Sequence, residues 1–388
     1  MLQVKQYNSI HAIDPHYWNS ILDAEDVFHT YDFVRIVEDS KVEDATFYYL
    51  LFYDGEALVG STIFSSFKVS LDLFITDNGL VRLIKKLSPN FFKVKIIACG
   101  LPASFGQLNL KVVNDRYSNE VSSLVTREMK ELAKKLRVTL LTVKEFSANR
   151  EKQFSNFLTQ GFFLCNSIPY MNLDIRWKDF DSYLHSLRHT YRRKILLSLK
   201  KIGHSRPNII KGWLHNNLSQ TPVLLLSQPD ENFAPDFYRR YLSVMERSTT
   251  KLEVLNQDFF ANLFSRKDKY QLLSLVADKK VISSAILIFN NDTLTFMLVG
   301  RERPKDEYDS YFNLIYGMIQ LAIENGCKKV KMGQTAYWVK QCVGSVPEPK
   351  TIYFGSTRPG VHWVLRTLKN VIFPETKLNF IHAFKDAR

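Results

Sequence analysis

The chain has 388 residues, of which 45% are hydrophobic and 13% aromatic, and its formal charge is +13. That length suits two domains of ordinary size, the apolar content argues against a disordered chain, and no apolar run reaches the roughly 18 residues of a spanning helix. Residues 1–6 lack the basic start and apolar run of a signal peptide, so the expected location is cytoplasmic, and the expected partner of so basic a chain is a polyanion: nucleic acid, a phosphorylated cofactor or an anionic membrane surface.

In chain order, the first half reads as mixed α/β. Residues 16–22 and 33–38 carry helical patterning. Residues 45–53, rich in aromatics, predict a strand, Asp54-Gly55 a tight turn, and 57–67 a second strand. A buried strand at 93–98, an amphipathic helix over Ser118–Leu136, a strand at 138–143, a helix over 149–160 closed by Gly161 and a strand at 168–175 complete the half.

Residues 177–213 form a basic connection. Leu184, Leu187, Tyr191, Ile195, Leu199 and Ile202 recur at steps of three or four, which predicts one helical stripe stopped at Gly203. Arg188, Arg192, Arg193, Lys194, Lys200 and Lys201 take the remaining faces, with Asp179 and Asp181 nearby. Such a face is either merely solvated or an anion site.

The second half repeats the order of the first. A strand at 222–227 is followed by helices at 234–247 and 257–265. A three-strand meander at 270–277, 281–289 and 293–299 turns at 278–280 and 290–292. Then come a helix over 308–324, a strand at 328–332, a Gly turn with a short helix up to residue 344, and a strand at 351–354. The matching helix–Gly–strand–helix blocks at 118–160 and 308–344 point to a weak internal duplication, with two unrelated α/β domains as the alternative. The expected organisation is therefore 1–176 and 214–388 as two units, joined by 177–213.

Several signatures are absent. There is no P-loop and no strand-linked Gly-x-Gly-x-x-Gly, no Gly-x-Ser-x-Gly elbow and no His-Glu-x-x-His. The nine His residues do not cluster, and the four cysteines (Cys99, Cys165, Cys327, Cys342) show no paired spacing, so no metal is expected and the thiols are expected to be reduced. The most informative stretch is Met332-Gly333-Gln334-Thr335-Ala336-Tyr337-Trp338-Val339-Lys340-Gln341-Cys342-Val343-Gly344. A strand that opens into a Gly turn and then a helix with one Lys presents backbone N–H groups and a cation to an anion or a developing oxyanion. Cys342 lies within it, and a nucleophilic role there would need an activating His and Asp that the sequence does not assign.

Three pieces together resemble the GNAT superfamily in its tandem branch, which includes the Fem peptidyltransferases and the acetyltransferase-like proteins grouped with cellulose-biosynthesis enzymes. They are the Arg192-Arg193-Lys194 cluster on the crossover helix, Tyr308-Asp309-Ser310-Tyr311-Phe312-Asn313 ahead of the Ala322-Ile323-Glu324-Asn325-Gly326 helix end, and Met332-Gly333-Gln334 through Tyr337, Lys340 and Gly344. The resemblance covers about residues 175–356, and the first half by element order only. It implies an α/β (α+β) fold of two GNAT-like units with mixed, splayed central sheets flanked by helices. The donor would enter where two neighbouring strands part, here 293–299 and 328–332. The Gln/Arg-x-x-Gly-x-Gly/Ala pyrophosphate loop of ordinary members is replaced by Gly300-Arg301-Glu302-Arg303-Pro304-Lys305-Asp306-Glu307, which fits the Fem-related branch better.

By that resemblance, Lys340 faces the donor carbonyl or a phosphate, and Arg192, Arg193, Gly333 and Gly344 bind the donor. Tyr308 and Tyr311 position an amine or protonate a leaving group, Gln334 and Tyr337 orient the acceptor, and Glu246 is the candidate general base. For each, packing or a solvated surface is the plain alternative. The implied reaction moves an acyl group from acyl-CoA to an amine. An aminoacyl-tRNA donor makes fuller use of the charge, and a basic non-catalytic adaptor is the third possibility.

Overall fold

The structure is a computed structural model that describes residues 1–70, 93–248, 254–302 and 306–385. It divides into one unit of Met1–Pro169, Thr250–Leu255 and Pro349–Lys377 and another of Tyr170–Thr249, Asn256–Glu348 and Leu378–Arg388.

In the first unit, β1 (Gln3–Tyr7) runs antiparallel to β2 (Thr46–Asp54), and β2 to β3 (Ala57–Ser70). The register pairs Asp54 with Ala57, leaving a two-residue loop that opens on Gly55 at φ +60, a value glycine adopts at no steric cost. Next, β3 pairs antiparallel with both β4 (Lys93–Cys99) and β5 (Leu110–Val112), and β4 lies parallel to β6 (Leu140–Phe146). Helices α1 (Pro15–Asn19), α2 (Tyr31–Asp39), α3 (Ser118–Leu136) and α4 (Ala148–Gln153) accompany these strands. The longest of them, α3, buries Val121, Val125, Met129 and Leu132 among Phe52, Phe64, Val143 and Phe146. Its apolar positions fall at steps of three and four, which is why a chain with charged residues at the others folds as a helix on a sheet. The helix expected over 149–160 is instead α4 followed by a separate 3₁₀ turn, Ser155–Leu158, because Phe154 and Phe157 both turn into the aromatic core around Phe146. Buried Lys111 is paired by Asp23 and, at 2.7 Å, by Asp26.

In the second unit the strands lie in the order β7 (Phe163–Asp174, whose last residues belong here), β13 (Lys329–Lys331), β12 (Thr293–Arg301), β11 (Lys280–Asn290), β10 (Gln271–Ala277), β9 (Val223–Ser227) and β8 (Ile209–Lys211). The β9–β12 run is antiparallel, while β13 lies parallel to β12 and β8 parallel to β9. The meander is placed as its patterning predicts, and Asp278 and Lys279 form its first turn with positive φ at both residues. Helices α5 (Phe180–Ser186), α6 (His189–Lys200), α7 (Ala234–Met245), α8 (Gln257–Phe264), α9 (Ser310–Glu324) and α10 (Tyr337–Cys342) accompany this sheet. Helix α9 is apolar on nearly every side, and accordingly Leu314, Ile315, Met318, Ile319 and Ala322 are all buried.

Two expectations change here. The single crossover helix is two, α5 and α6, because Leu187 and Arg188 take extended backbone: Leu187 bridges Phe384, and the Arg188 N–H donates to Ala383 O at 2.8 Å. The helix expected from 308 starts at Ser310, after Asp309 in the left-handed region at φ +48, so Tyr308 lies outside it.

The chain then returns to the first unit. Strand β14 (Val346–Ser356) pairs antiparallel with β6, from Thr351–Phe146 to Ser356–Leu140, and is followed by α11 (Pro359–Thr367) and α12 (Lys369–Ile372). Residues 349–377 therefore do not stay with the C-terminal unit as the 214–388 boundary expected. Alternation explains the placement: Tyr353 enters the cluster of Phe146 and Phe157, and Phe354 that of Phe163 and Phe373.

Gly300 shows how tightly β12 is packed against α7. A Cβ built there would come within 2.9 Å of Arg240 Cβ and 3.1 Å of the Phe237 carbonyl oxygen and the Tyr241 backbone nitrogen. Gly300→Ala is expected to cost about 1–3 kcal/mol, read as a lowered urea midpoint with an unchanged denaturant slope.

Candidate active site

The parallel contact between β12 and β13 is short. It pairs Thr293, Leu294 and Thr295 with Lys329, Val330 and Lys331, and then ends, while β12 runs on to Arg301. At that point β12 carries a bulge: Ile286 pairs with Leu298 but Leu287 with Phe296, so Met297 is the extra residue. A bulge bends its strand and turns it away from a neighbour. Met297, Leu298 and Val299 are half-exposed, whereas Thr293 to Phe296 are buried. Among the described residues, the edge of β12 beyond Thr295 has β11 on one side and no paired strand on the other.

Beyond β13 the chain makes a strained turn. Gly333 has φ +76, Thr335 +64 and Ala336 +49. Left-handed backbone at two successive non-glycine residues costs of order 1–3 kcal/mol each, so something must hold it. The Met171 N–H donates to Gly333 O at 3.1 Å, and Lys340 Nζ, one helical turn into α10, donates to Gly333 O at 3.2 Å and Gln334 O at 2.8 Å. Lys340 is only 3% exposed and pairs with no carboxylate among the described residues. Burial pulls its pKa down to about 7, although two carbonyl acceptors favour the charged form. A charged amine has three N–H donors, and two of them are taken by the turn.

The turn lies at the parting of the strands. A Cβ added to Gly333 would sit 3.6 Å from Phe296 O and 4.0 Å from Lys340 Nζ. Tyr311, in the first turn of α9, meets the Phe296 ring edge-on at 6.2 Å, with the Arg301 guanidinium 5.8 Å from its own ring. Burial raises the Tyr311 phenol to about 12, so it is protonated at neutral pH and can donate. Tyr337, at the start of α10, is likewise raised by burial to about 12. Lys340, Gly333 and Tyr311 thus meet around Phe296, and Gln334 and Tyr337 belong to the turn and helix that carry Lys340.

The remaining candidates fall elsewhere. Tyr308 donates to the Asp278 carboxylate at 2.9 Å, tying the entry to α9 to the β10–β11 turn, and is not a partner of Tyr311 on one helix. Gly344 has φ +92, and a Cβ there would overlap the Phe384 ring at 2.1 Å. Its lack of a side chain is explained by packing, not by donor contact. Glu246 is the exposed residue that closes α7. Arg192 is half-buried and Arg193 exposed on α6, whose Lys194 places its ammonium 4.5 Å from the exposed Trp338 ring of α10. The basic helix is thus next to the lysine helix. Cys342 is buried and its thiol pushed up by burial, the opposite of an activated nucleophile. Phe296 and Trp338 join the site without any signal in the sequence, where nothing distinguishes them from core and surface aromatics.

The model of the FemAB-like family, described as peptidoglycan biosynthesis/recognition, matches residues 9–351. The chain belongs to the FemAB-like family. The crystal structure of FemX shares the fold of this family member, with a TM-score of 0.55 at 11% identity, covering 90% of this chain and 96% of that one. A tandem GNAT protein from the clavulanic acid biosynthesis pathway is similar at a TM-score of 0.49 and 11% identity, over 92% of this chain and 99% of that one. A curated relative, "Putative 8-amino-7-oxononanoate synthase 2" of Mycobacterium tuberculosis, is 24% identical over 338 residues, 84% of this chain. The chain spans 41% of that relative's length.

The buried lysine gives a pH signature. Its folded pKa lies below the roughly 10.4 of an unfolded lysine, so the unfolded chain binds more protons between those values and stability rises with pH there. From pH 7 to 9, the wild-type urea stability is expected to gain up to about 1.4 kcal/mol per pH unit relative to Lys340→Met. Below pH 6 the difference should be flat.

Proposed function

We propose that this protein transfers an acyl group from acyl-CoA to an amine, with the donor carbonyl in the opening between β12 and β13. The observation that carries the reading is the parting of those strands after three residue pairs, directly opposite the turn that Lys340 holds. Amides on the unpaired edge of β12 are fixed in direction before a ligand arrives, which is the condition for stabilising a developing oxyanion. The acceptor nitrogen attacks the thioester carbonyl carbon. A C–N bond forms and the C–S bond breaks, the nitrogen's proton passes to solvent, and the thiolate takes a proton from the Tyr311 hydroxyl, which regains one from solvent. Lys340 holds the turn by donating to Gly333 O and Gln334 O and adds positive charge in the fraction that is protonated, and the exposed Arg193 and Lys194 of α6 meet the donor's phosphates together with Arg192. Gln334 and Tyr337 border the acceptor side. No covalent enzyme intermediate is required, so the acceleration comes from positioning and electrostatics. The FemAB-like membership supports acyl or aminoacyl transfer as the class.

A second donor is favoured by one observation, the charge of +13 with a basic helix beside the site. Charged tRNA would use that charge, and its affinity would fall steeply with salt.

Calorimetric titration of acetyl-CoA, longer acyl-CoAs and aminoacyl-tRNA at two salt concentrations separates the donors. Micromolar binding of an acyl-CoA with a shallow salt dependence is expected; binding of none of them would remove the reading. With the bound donor and an amine panel, Lys340→Met is expected to lower kcat by about 10²–10³-fold, and Tyr311→Phe by at least about tenfold. Unchanged turnover in Lys340→Met would displace the assignment.

A further inference from the structure

The charge of this chain has a second place to act, in the first unit. Helix α11 begins at Pro359, with the Arg358 N–H donating to the Ser356 hydroxyl. It packs on the core through His362, whose ring meets Phe163 at 5.2 Å, and through Leu365. Among the described residues, several of its apolar side chains are exposed. Trp363 is 68% exposed and Val371, in α12, 73%, with Val361, Val364 and Leu368 also exposed. At 100° per residue, Trp363 and Val364 lie on either side of the direction opposite His362 and Leu365, while Val361 and Leu368 flank the packed side next to Leu365.

A solvated helix directs such residues to its core and charged ones outward. Here large apolar side chains are exposed on two successive helices, and a concentration of exposed apolar side chains marks a surface that something covers. The rim identifies the chemistry of what covers it. Arg358 and Arg366 are exposed, Lys377 lies just beyond, and Glu375 is the acidic residue in the 358–377 stretch. Lys369 is held inward by Leu164 O at 3.4 Å. An indole and branched aliphatic side chains surrounded by arginine and lysine are suited to the boundary between lipid headgroups and acyl chains, where the apolar side chains are buried and the cations meet anionic headgroups. A protein partner would need no particular excess of one sign around the patch. The net charge of +13 adds long-range attraction to a negative surface.

We propose that α11 and α12 dock this protein on an anionic bilayer surface, with Trp363, Val364, Leu368 and Val371 entering the headgroup boundary and Arg358, Arg366 and Lys377 against acidic headgroups. No helix among the described residues is long and apolar enough to cross a membrane, and the docking proposed is peripheral. The proposal stands apart from the acyl-transfer reading, because it concerns residues outside that opening.

The test is sedimentation of the full chain with vesicles of pure phosphatidylcholine and of phosphatidylcholine with about one-third phosphatidylglycerol. The expected result is co-sedimentation with the anionic vesicles at 0.1 M salt, weakened at least tenfold on neutral vesicles or at 0.5 M salt. Trp363→Glu with Val371→Glu should lose at least tenfold in vesicle affinity, and Arg358→Glu with Arg366→Glu should lose the anionic preference. Matching circular dichroism and thermal midpoints confirm that these exposed changes leave the fold intact, and Val361→Gln with Val364→Gln serves as a milder replacement for a pair that does not fold. Absence of binding to anionic vesicles by the folded wild type overturns the proposal, as does full binding by the folded Glu or Gln variants. A concentration-dependent dimer in light scattering that the Trp363→Glu pair dissolves, without vesicle binding, assigns the face to a second copy and equally overturns it.

Discussion

The amine of Lys340, buried and shared between two carbonyls of one turn, is the constraint from which the rest of the site follows. Without it, Gly333 O and Gln334 O would each lose a hydrogen-bond donor beside two left-handed residues. With it, the turn is pinned where β13 ends, and the Gly333 backbone is held against Phe296. The geometry couples a local strain to an opening in the sheet, because β12 bulges at the same level. The energetic cost of placing a cation in an apolar setting is the reason its proton is loosely held.

Much of this is legible in the order of the amino acids. The meander, the α3 helix and the strand–turn–lysine segment follow from periodicity and turn residues that act over a few positions. The gathering of Lys340, Gln334 and Tyr337 is local for the same reason, since they lie within seven residues of one another in sequence. What the sequence hides is non-local. That β14 pairs with β6 depends on partners two hundred residues apart, and alternation alone does not name a partner. The break between α5 and α6 is equally silent, because Leu187 and Arg188 suit a helix and are drawn out of it by a distant strand-like segment.

Side-chain roles are the least legible layer. Tyr308 and Tyr311 look equivalent at a spacing of three, yet one is committed to Asp278 and the other faces the bulged strand. The difference arises from a single left-handed residue, Asp309, which moves the start of α9 between them. Gly344 looks like part of a ligand turn, but a distant ring fills the space where its side chain would be. Glycine in a loop can answer to a ligand or to a neighbour's bulk, and composition does not tell the two apart.

The segment from 378 to 385 runs along α10, the α5–α6 break and the Gly344 turn. Its Ile381 N–H donates to the Gln341 side chain of α10, Ala383 O receives the Arg188 N–H, and Phe384 rests on Gly344 and faces Trp177. These residues leave the ribosome after everything they fasten. Helix α10 is therefore without its outer clasp until residues 378–385 have been made.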